Sequence, residues 1–223
     1  MGDRTQRIGR VEMVKRYMVV GIVIAIVVTF VFPLGLSCNK GYLKITDKDF
    51  IVSNIPPNWS IASKDEIAKA QEIEEKILGN DPNRIMANVL FSAGLNRGDG
   101  NSYPHVVIEV IPLGSFKTIN EVIDYNESIY KEHFKGYERN YIDYGRGPSG
   151  NSTMAILMYQ YYGNGDTLLA TLDVWAINKS VVWRVGCLSL AGEFKKDASI
   201  FSDILNSFVI KDGDITFGRI SIR

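Results

Sequence analysis

Cysteine and histidine are scarce in this sequence. Its 223 residues include two cysteines, Cys38 and Cys187, and two histidines, His105 and His133. Two cysteines cannot build a disulfide framework, and a zinc-type site normally needs about three or four ligands, which do not group around either histidine. We therefore expect no metal ion and no cofactor, and we interpret both histidines as surface or helix-capping residues.

Cys187 lies within the apolar, strand-like run VVWRVGCLSL. Trp183 and Val185 fall on the same side of such a strand as Cys187, because side chains alternate with a period of two. The run therefore predicts that Cys187 is a small buried apolar residue. A disulfide between Cys38 and Cys187 remains the alternative.

Sequence signatures of catalysis and of phosphate binding are missing as well. The chain has no G-x-S-x-G, no S-x-x-K accompanied by S-D-N, no H-E-x-x-H and no G-x-x-x-x-G-K. Its aspartate-rich turns do not have the spacing of an EF-hand calcium loop. We predict a protein that is not an enzyme and has no catalytic residues. The alternative is a hydrolase-type enzyme whose site is assembled only in three dimensions.

No strong excess of one charge sign marks the chain, whose formal net charge is zero. Residues 1–38 hold five basic and two acidic side chains, a net charge of +3, which leaves 20 basic and 23 acidic side chains, a net charge of −3, for the remainder. A mildly acidic domain without a basic stripe is a poor candidate for binding nucleic acid, whose phosphates favour clustered lysine and arginine. We expect a protein or small-molecule partner and no nucleic acid.

Charged residues are absent from residues 17–36, YMVVGIVIAIVVTFVFPLGL. About twenty apolar residues are enough for a helix to cross the roughly 30 Å hydrocarbon core of a bilayer. The basic residues that precede the run favour a cytoplasmic N-terminus, so the rest of the chain is expected outside the cytoplasm. The run therefore predicts a segment that holds an extracytoplasmic domain at the cell membrane.

A cysteine follows this run and offers a second kind of anchor. The sequence LGLSC resembles a bacterial lipobox, with Ser37 before Cys38, although Gly35 stands where leucine is usual. Lipid attachment at Cys38 and an uncleaved single-pass helix both fit, whereas the cleaved signal of a secreted protein usually has a shorter apolar stretch. We divide the chain into a cytoplasmic N-terminus (1–16), a transmembrane or lipoprotein signal segment (17–36), a linker (37–47), a folded domain (48–211) and a C-terminal tail (212–223).

Apolar periodicity in the folded domain predicts both helices and strands. Helices are predicted over 63–81, 118–134 and 193–208, and the first two begin with capping boxes, Ser63–Glu66 and Thr118–Glu121. Strands are predicted on either side of the Pro56–Pro57 turn and in the runs RIMANVLFSA, HVVIEVIPLG, RNYIDYG, STMAILMYQYY, TLLATLDVWAIN, SVVWRVGCLSL and FVI.

Short turns join the runs between residues 139 and 190, so these strands are expected to pair as antiparallel neighbours, with three consecutive strands over 152–190. Both faces of STMAILMYQYY are apolar, with Met154, Ile156 and Met158 on one face and Ala155, Leu157 and Tyr159 on the other. A strand that is buried on both sides needs cover on both sides. The expected fold class is α+β, an antiparallel sheet flanked by helices on both faces as an α/β/α sandwich.

The order of these elements resembles the PsbP-like family over roughly residues 48–211. The turn in FIVSNIPPNW, a capped helix near residue 118, a long four-strand meander and the closing FSDILNSFVI carry the resemblance. It implies a membrane-tethered prokaryotic member that acts as a non-catalytic binding or assembly module. The segment 95–104 and the tail DGDITFGRISIR depart from the family pattern.

Two features are candidate binding surfaces. The first is the polar segment 95–104, because long loops on rigid scaffolds often carry function. We single out its residues Asn96, Arg97, Asp99, Asn101 and Tyr103, with a hairpin tip of no function as the alternative. The second is a tyrosine series that lines a groove or packs between helix and sheet: Tyr125, Tyr130, Tyr137, Tyr141 and Tyr144.

Overall fold

A computed structural model describes residues 41–78, 87–95, 103–146, 153–163, 166–213, 215–218 and 220. Three helices lie within these ranges: α1 (Lys64–Leu78), α2 (Ile119–His133) and α3 (Phe194–Ser207). The strands are β1 (Leu43–Thr46), β2 (Phe50–Ile55), β3 (Ser60–Ile61), β4 (Asn88–Gly94), β5 (His105–Pro112), β6 (Lys135–Arg146), β7 (Thr153–Tyr162), β8 (Leu168–Asn178), β9 (Val181–Leu190), β10 (Val209–Ile210) and β11 (Ile215–Thr216).

Seven strands form a large antiparallel sheet in the order β3-β4-β5-β9-β8-β7-β6. The strands β7, β8 and β9 are consecutive antiparallel neighbours, with Met154 opposite Ala176 and Leu172 opposite Cys187. This confirms the prediction of three antiparallel strands over residues 152–190. The antiparallel pairing arises because short connections join these apolar runs, so that each strand pairs most simply with the next one along the chain.

A second, four-stranded sheet has the order β1-β2-β10-β11. The sequence predicted a single sheet, whereas the structure has two, and β2 and β3 belong to different ones. The turn between them runs from Pro56 to Trp59, whose amide donates to the Pro56 carbonyl at 3.0 Å. Two consecutive prolines cannot donate to a strand ladder, so the chain leaves the first sheet here before it pairs again.

The folded unit extends beyond the expected range 48–211 at both ends. β1 lies in the segment interpreted as a linker, and it pairs with β2. β11 lies in the segment interpreted as a tail, and its residue Ile215 pairs with Ile210. Phe217 and Ile220 are buried behind it. These strands are too short for a period-two pattern to separate them from irregular chain, and it is their packing that orders them.

The two faces of the large sheet bury different apolar clusters. On the α3 face, Leu172 and Val174 of β8 pack with α3 and the small sheet. On the α2 face, Leu169 and Trp175 of β8 pack with α2. Helices thus cover both faces, as the apolar residues on both sides of β7 require. Cys187 is a fully buried free thiol on the α3 face, which confirms its prediction as a buried apolar residue.

Both predicted capping boxes begin helices. The Ser63 amide donates to the Glu66 carboxylate at 2.7 Å, and the Glu66 amide donates back to Ser63 Oγ at 3.3 Å. At α2 the Glu121 amide donates to Thr118 Oγ1 at 3.3 Å. These side chains satisfy amides that have no partner within the helix.

None of the described helices is long and apolar enough to span a bilayer. The predicted membrane segment 17–36 and the proposed lipid site Cys38 lie outside the described residues.

Candidate functional site

The strand β6 forms one edge of the large sheet and is the most exposed strand in it. Ten of its twelve residues are exposed, and within the described residues it pairs with β7 alone. Tyr141 lies opposite Met158 and is 48% exposed, whereas Tyr144 lies opposite Ala155 and is 42% exposed. The two rings therefore project from opposite faces of the same free edge. We call residues 141–146 the exposed edge.

A buried carboxylate on α2 holds the first half of β6 in place. Glu127 is 3% exposed and accepts hydrogen bonds from Tyr137 Oη at 2.6 Å and from Arg139 Nη1 at 2.8 Å. Burial and the Glu127 carboxylate raise the pKa of Tyr137, so this hydroxyl remains a donor. A buried carboxylate is tolerated when charged and neutral donors satisfy it in this way.

Aromatic rings fill the space between α2 and the sheet behind β6. Tyr130 of α2 stacks on Phe134 at 5.1 Å and on Tyr159 at 5.5 Å between ring centroids, and Tyr137 packs against Tyr159 at 5.3 Å. Tyr130 and Tyr137 thus pack between the helix and the sheet, which was the second of the two possibilities for the predicted tyrosine series.

The other members of the series are divided between packing and exposure. Tyr125 contacts Phe116 at 5.4 Å between ring centroids. Only Tyr141 and Tyr144 of the five are substantially exposed, so the series does not line one groove.

An ion network that no sequence motif predicted lies deeper on the α2 face. Arg184 of β9 donates from Nε and Nη2 to the Asp173 carboxylate at 2.9 and 3.2 Å. It also donates from Nη1 to Glu109 at 2.6 Å and from Nη2 to Tyr159 Oη at 3.2 Å. Its guanidinium lies 5.4 Å from the ring of Trp175. The network joins four neighbouring strands of the sheet, β5, β9, β8 and β7.

The network contains two carboxylates and one guanidinium in a nearly dry environment. Asp173 is fully buried, while the side chains of Glu109 and Arg184 are 13% and 14% exposed. Burial raises the pKa of Asp173, and the nearby Arg184 opposes this effect. Such a cluster needs several well-aligned hydrogen bonds, because the free-energy cost of desolvating the charges can exceed the attraction within a single ion pair.

Gly186 leaves the room that this network occupies. It lies opposite Asp173 on one side and Val107 on the other. A Cβ at this position would approach Asp173 Oδ1 to 3.0 Å, Val107 Cγ1 to 3.1 Å and Arg184 Nη2 to 3.3 Å. These contacts are tighter than ordinary packing, and two of them are with network atoms.

We expect Gly186→Ala to lower the free energy of unfolding by about 1–3 kcal/mol through overpacking. Gly145→Ala is the matched control, because it also lies in a strand but has nothing within 4 Å of the added Cβ. Urea unfolding of both variants measures the difference. Equal stability of the two variants would show that the network tolerates displacement.

His105 is buried, so its interpretation as a surface or capping residue was wrong. It begins β5, between Gly94 of β4 and Leu188 of β9, and is 5% exposed. The sheet interior covers it on both sides, which its place at the start of an apolar run did not reveal. Burial lowers its pKa to about 4. His133 is partly exposed in the last turn of α2, a position that suits a basic side chain.

Among the described residues, the contact between Ser92 and His105 is the one that most resembles the nucleophile and base of a hydrolase. Ser92 Oγ lies 3.1 Å from His105 Nε2. Ser92 is only 1% exposed, and His105 Nδ1 has no partner among the described residues. A nucleophile needs access to substrate and a base that a third group orients. The pair therefore resembles a buried structural hydrogen bond.

The predicted loop contributes one described residue. Tyr103 is 4% exposed and packs within the cluster on the α2 face, so it does not belong to an exposed binding surface. Burial raises its pKa to about 12. Its ring is large enough that burial against the sheet outweighs exposure in a polar loop. Asn96, Arg97, Asp99 and Asn101 lie outside the described residues, and their role stays a prediction.

No group of three or more histidine, cysteine, aspartate or glutamate side chains within the described ranges is arranged to hold a metal ion. The polar network around Arg184 satisfies its own carboxylates by hydrogen bonding. The exposed edge of β6 is therefore the candidate site that remains open to a partner.

Comparison with solved structures identifies the architecture. The solution structure of cyanobacterial PsbP (CyanoP) from Synechocystis sp. PCC 6803 matches with a TM-score of 0.51 and 14% sequence identity, over 80% of this chain and 99% of CyanoP. The chain has a PsbP-like fold. This confirms the resemblance found in the sequence, and at this identity the similarity establishes the fold alone.

A second structure is less similar to this PsbP-like chain. The protein PA94 from Pseudomonas aeruginosa aligns with a TM-score of 0.39 and 10% identity, over 72% of this chain and 91% of PA94. No protein-family profile and no curated protein matched the chain.

Proposed function

We propose that this protein is a membrane-tethered, extracytoplasmic and non-catalytic module that binds a protein partner through the exposed edge of β6. The PsbP-like fold, which the chain shares with cyanobacterial PsbP (CyanoP), is compatible with a binding or assembly role. The apolar run 17–36 and Cys38 support attachment to a membrane.

One observation carries the binding role, namely that the outer edge of the twelve-residue strand β6 pairs with no further strand among the described residues. Glu127 and the tyrosine stack fix β6 from the α2 side, while Tyr141 and Tyr144 face outward beyond it. A free edge presents backbone N–H and C=O groups to which an extended peptide can add as a further strand. Exposed tyrosines on both faces suit a protein interface, because each ring offers apolar area and a hydroxyl.

The charges of β6 favour a specific partner over self-association. Asp143 and Arg146 interrupt the exposed edge, and register shifts occur before Glu138 and before Tyr141. Charged residues and bulges on an edge strand disfavour indiscriminate pairing between sheet edges. A partner strand must therefore match this pattern of charges and rings.

A hydrolase remains the second candidate, on the basis of the contact between Ser92 and His105. Their burial disfavours it, because a substrate has no access to a serine that is 1% exposed. Turnover in a broad hydrolase screen, lost in Ser92→Ala with the fold intact, would establish this second function in place of the first.

We expect a photocrosslinking residue at Tyr141 or Tyr144 to capture the same membrane-associated protein when the full chain is expressed in its native membranes. The matched control is Lys195, which is exposed on α3 at a distance from the edge in the fold. Mass spectrometry of the crosslinked species identifies the partner. Equal capture from Lys195, or no capture from either tyrosine, would contradict binding at the exposed edge.

A further inference from the structure

The link between the predicted membrane segment and the folded domain is short. The apolar run ends at residue 36, and β1 begins at Leu43, so six residues lie between them. Six residues span at most about 20 Å when fully extended. A domain of about 180 residues has a radius of gyration of about 16 Å and hence a diameter of about 40 Å. The link can span only about half of the domain's diameter. The side of the domain that carries Leu43 must therefore lie near the bilayer.

The structure shows which end of the small sheet carries this link. β1 and β2 are antiparallel, and Leu43 lies opposite Ile55. Tyr42 and the turn that follows Ile55 therefore project from the same end. We call Tyr42, Pro57, Asn58 and Ile61 the proximal end; all four are exposed, with Tyr42 at 66% and Ile61 at 37%.

The opposite end of the same sheet is separated from it by the length of β2. Six strand residues extend about 20 Å. The turn between β1 and β2 lies there, where the Lys211 amide donates to the Asp49 carbonyl at 3.0 Å. Lys179 and Asp212 form an ion pair of 2.8 Å beside it. We call this the distal end.

Charge separates the two ends. Residues 50–63 contain no charged side chain and neither do residues 41–43, and these two stretches are followed by the exposed Lys64 and Lys44, respectively. The distal end holds Asp47, Lys48, Asp49, Lys179, Lys211 and Asp212. The uncharged residues of the proximal end can enter a bilayer interface without the cost of removing ions from water, whereas entry of the distal end would carry that cost for its charged side chains. Tyrosine and apolar side chains are also the groups that settle at the membrane–water interface.

We propose that the proximal end docks on the lipid surface of the membrane that holds the anchor. This rests on the membrane attachment that the proposed function includes. The short link brings the proximal end to the bilayer, and Tyr42 and Ile61 enter the interfacial region while the distal end points away. The exposed edge of β6 stays available to a partner in this orientation, because β6 and β3, the strand that carries Ile61, lie at opposite edges of the large sheet.

The test uses the full chain in protein-free vesicles of phosphatidylcholine with a minority of phosphatidylglycerol. A bimane fluorophore is attached at Asn58→Cys in one variant and at Lys48→Cys in the other, two exposed positions at the proximal and distal ends. The parent chain supplies the background from Cys38, because Cys187 is buried. Lipids that carry a nitroxide on the headgroup then quench fluorophores at the surface, and co-flotation with the vesicles is recorded in parallel.

We expect several-fold stronger quenching at position 58 than at position 48, and a loss of that difference in the double variant Tyr42→Glu, Ile61→Glu. Equal quenching at the two positions with flotation retained would overturn the docking and leave the membrane attachment standing. Loss of flotation of the parent chain would overturn both. Quenching at position 58 that is absent in the vesicles and occurs only in native membranes supplied with the same nitroxide lipid would make a protein the occupant of this end.

Discussion

Replacing Arg184 with leucine is expected to lower the free energy of unfolding by about 3–5 kcal/mol. Arg184 is the one cation within hydrogen-bond distance of both Glu109 and Asp173 in the described structure. Its loss leaves two carboxylates in the sheet interior without a charged donor. The cost arises from the buried charges that remain, because desolvated carboxylates without partners are far less stable than hydrated ones.

Chemical denaturation of the domain measures this effect, and two comparisons separate it from simpler causes. Asp212→Ala removes an ion pair whose side chains are 71% and 60% exposed, and it should cost less than about 1 kcal/mol. The triple replacement of Glu109, Asp173 and Arg184 by apolar residues should recover much of the loss, since it removes the uncompensated charge. A small effect of Arg184→Leu alone would mean that water reaches the carboxylates.

Acidification is expected to destabilise the protein through His105. Its pKa is about 4 in the folded chain, compared with 6.5 for an exposed histidine. Above pH 6.5 the imidazole is neutral in both the folded and unfolded states, so it makes no difference to stability. Between pH 6.5 and about 4 only the unfolded state binds the proton, and stability falls as the pH falls. At 1.36 kcal/mol per pKa unit, the loss is about 3 kcal/mol.

The variant His105→Gln isolates this contribution. Glutamine cannot titrate, and its amide can retain a hydrogen bond to Ser92. Asp173 acts in the opposite direction, because its raised pKa gives stability at low pH that is lost as the pH rises. The difference between parent and variant removes the Asp173 contribution, which both share. Parallel stability curves for the two proteins between pH 7 and pH 4 would show that His105 is accessible to protons when folded.

Several elements could be predicted from the sequence because their signals are local. The capping residues Ser63 and Thr118 lie three positions before their partners, so the start of each helix is specified within one turn. The apolar residues on both sides of β7 required two covered faces, and α2 and α3 supply them. The order of these elements was sufficient to indicate the PsbP-like fold.

The exposed edge of β6 could not be predicted from local sequence signals. Tyr137, Tyr141 and Tyr144 follow one another along the same polar strand, yet Tyr137 packs against Tyr130 and Tyr159 whereas the other two are exposed. Strand order decides this, because β6 is the last strand of the sheet, and the hydrogen bonds to Glu127 of α2 come from Tyr137 and Arg139 in its first half. Spacing along the chain does not show which strand ends a sheet.

The sequence by itself determined the helices, most of the strands, the covered faces of the sheet, the scarcity of metal ligands and the prediction of a membrane anchor. Single charged residues within apolar runs, at Glu109, Asp173 and Arg184, were a visible sign of buried ions. Only the tertiary structure decided that they meet, that His105 is enclosed and that β1 and β11 join the core. Helix caps and side-chain alternation act over a few residues, whereas Arg184 and Glu109 are 75 residues apart and contact each other only through the register of two strands.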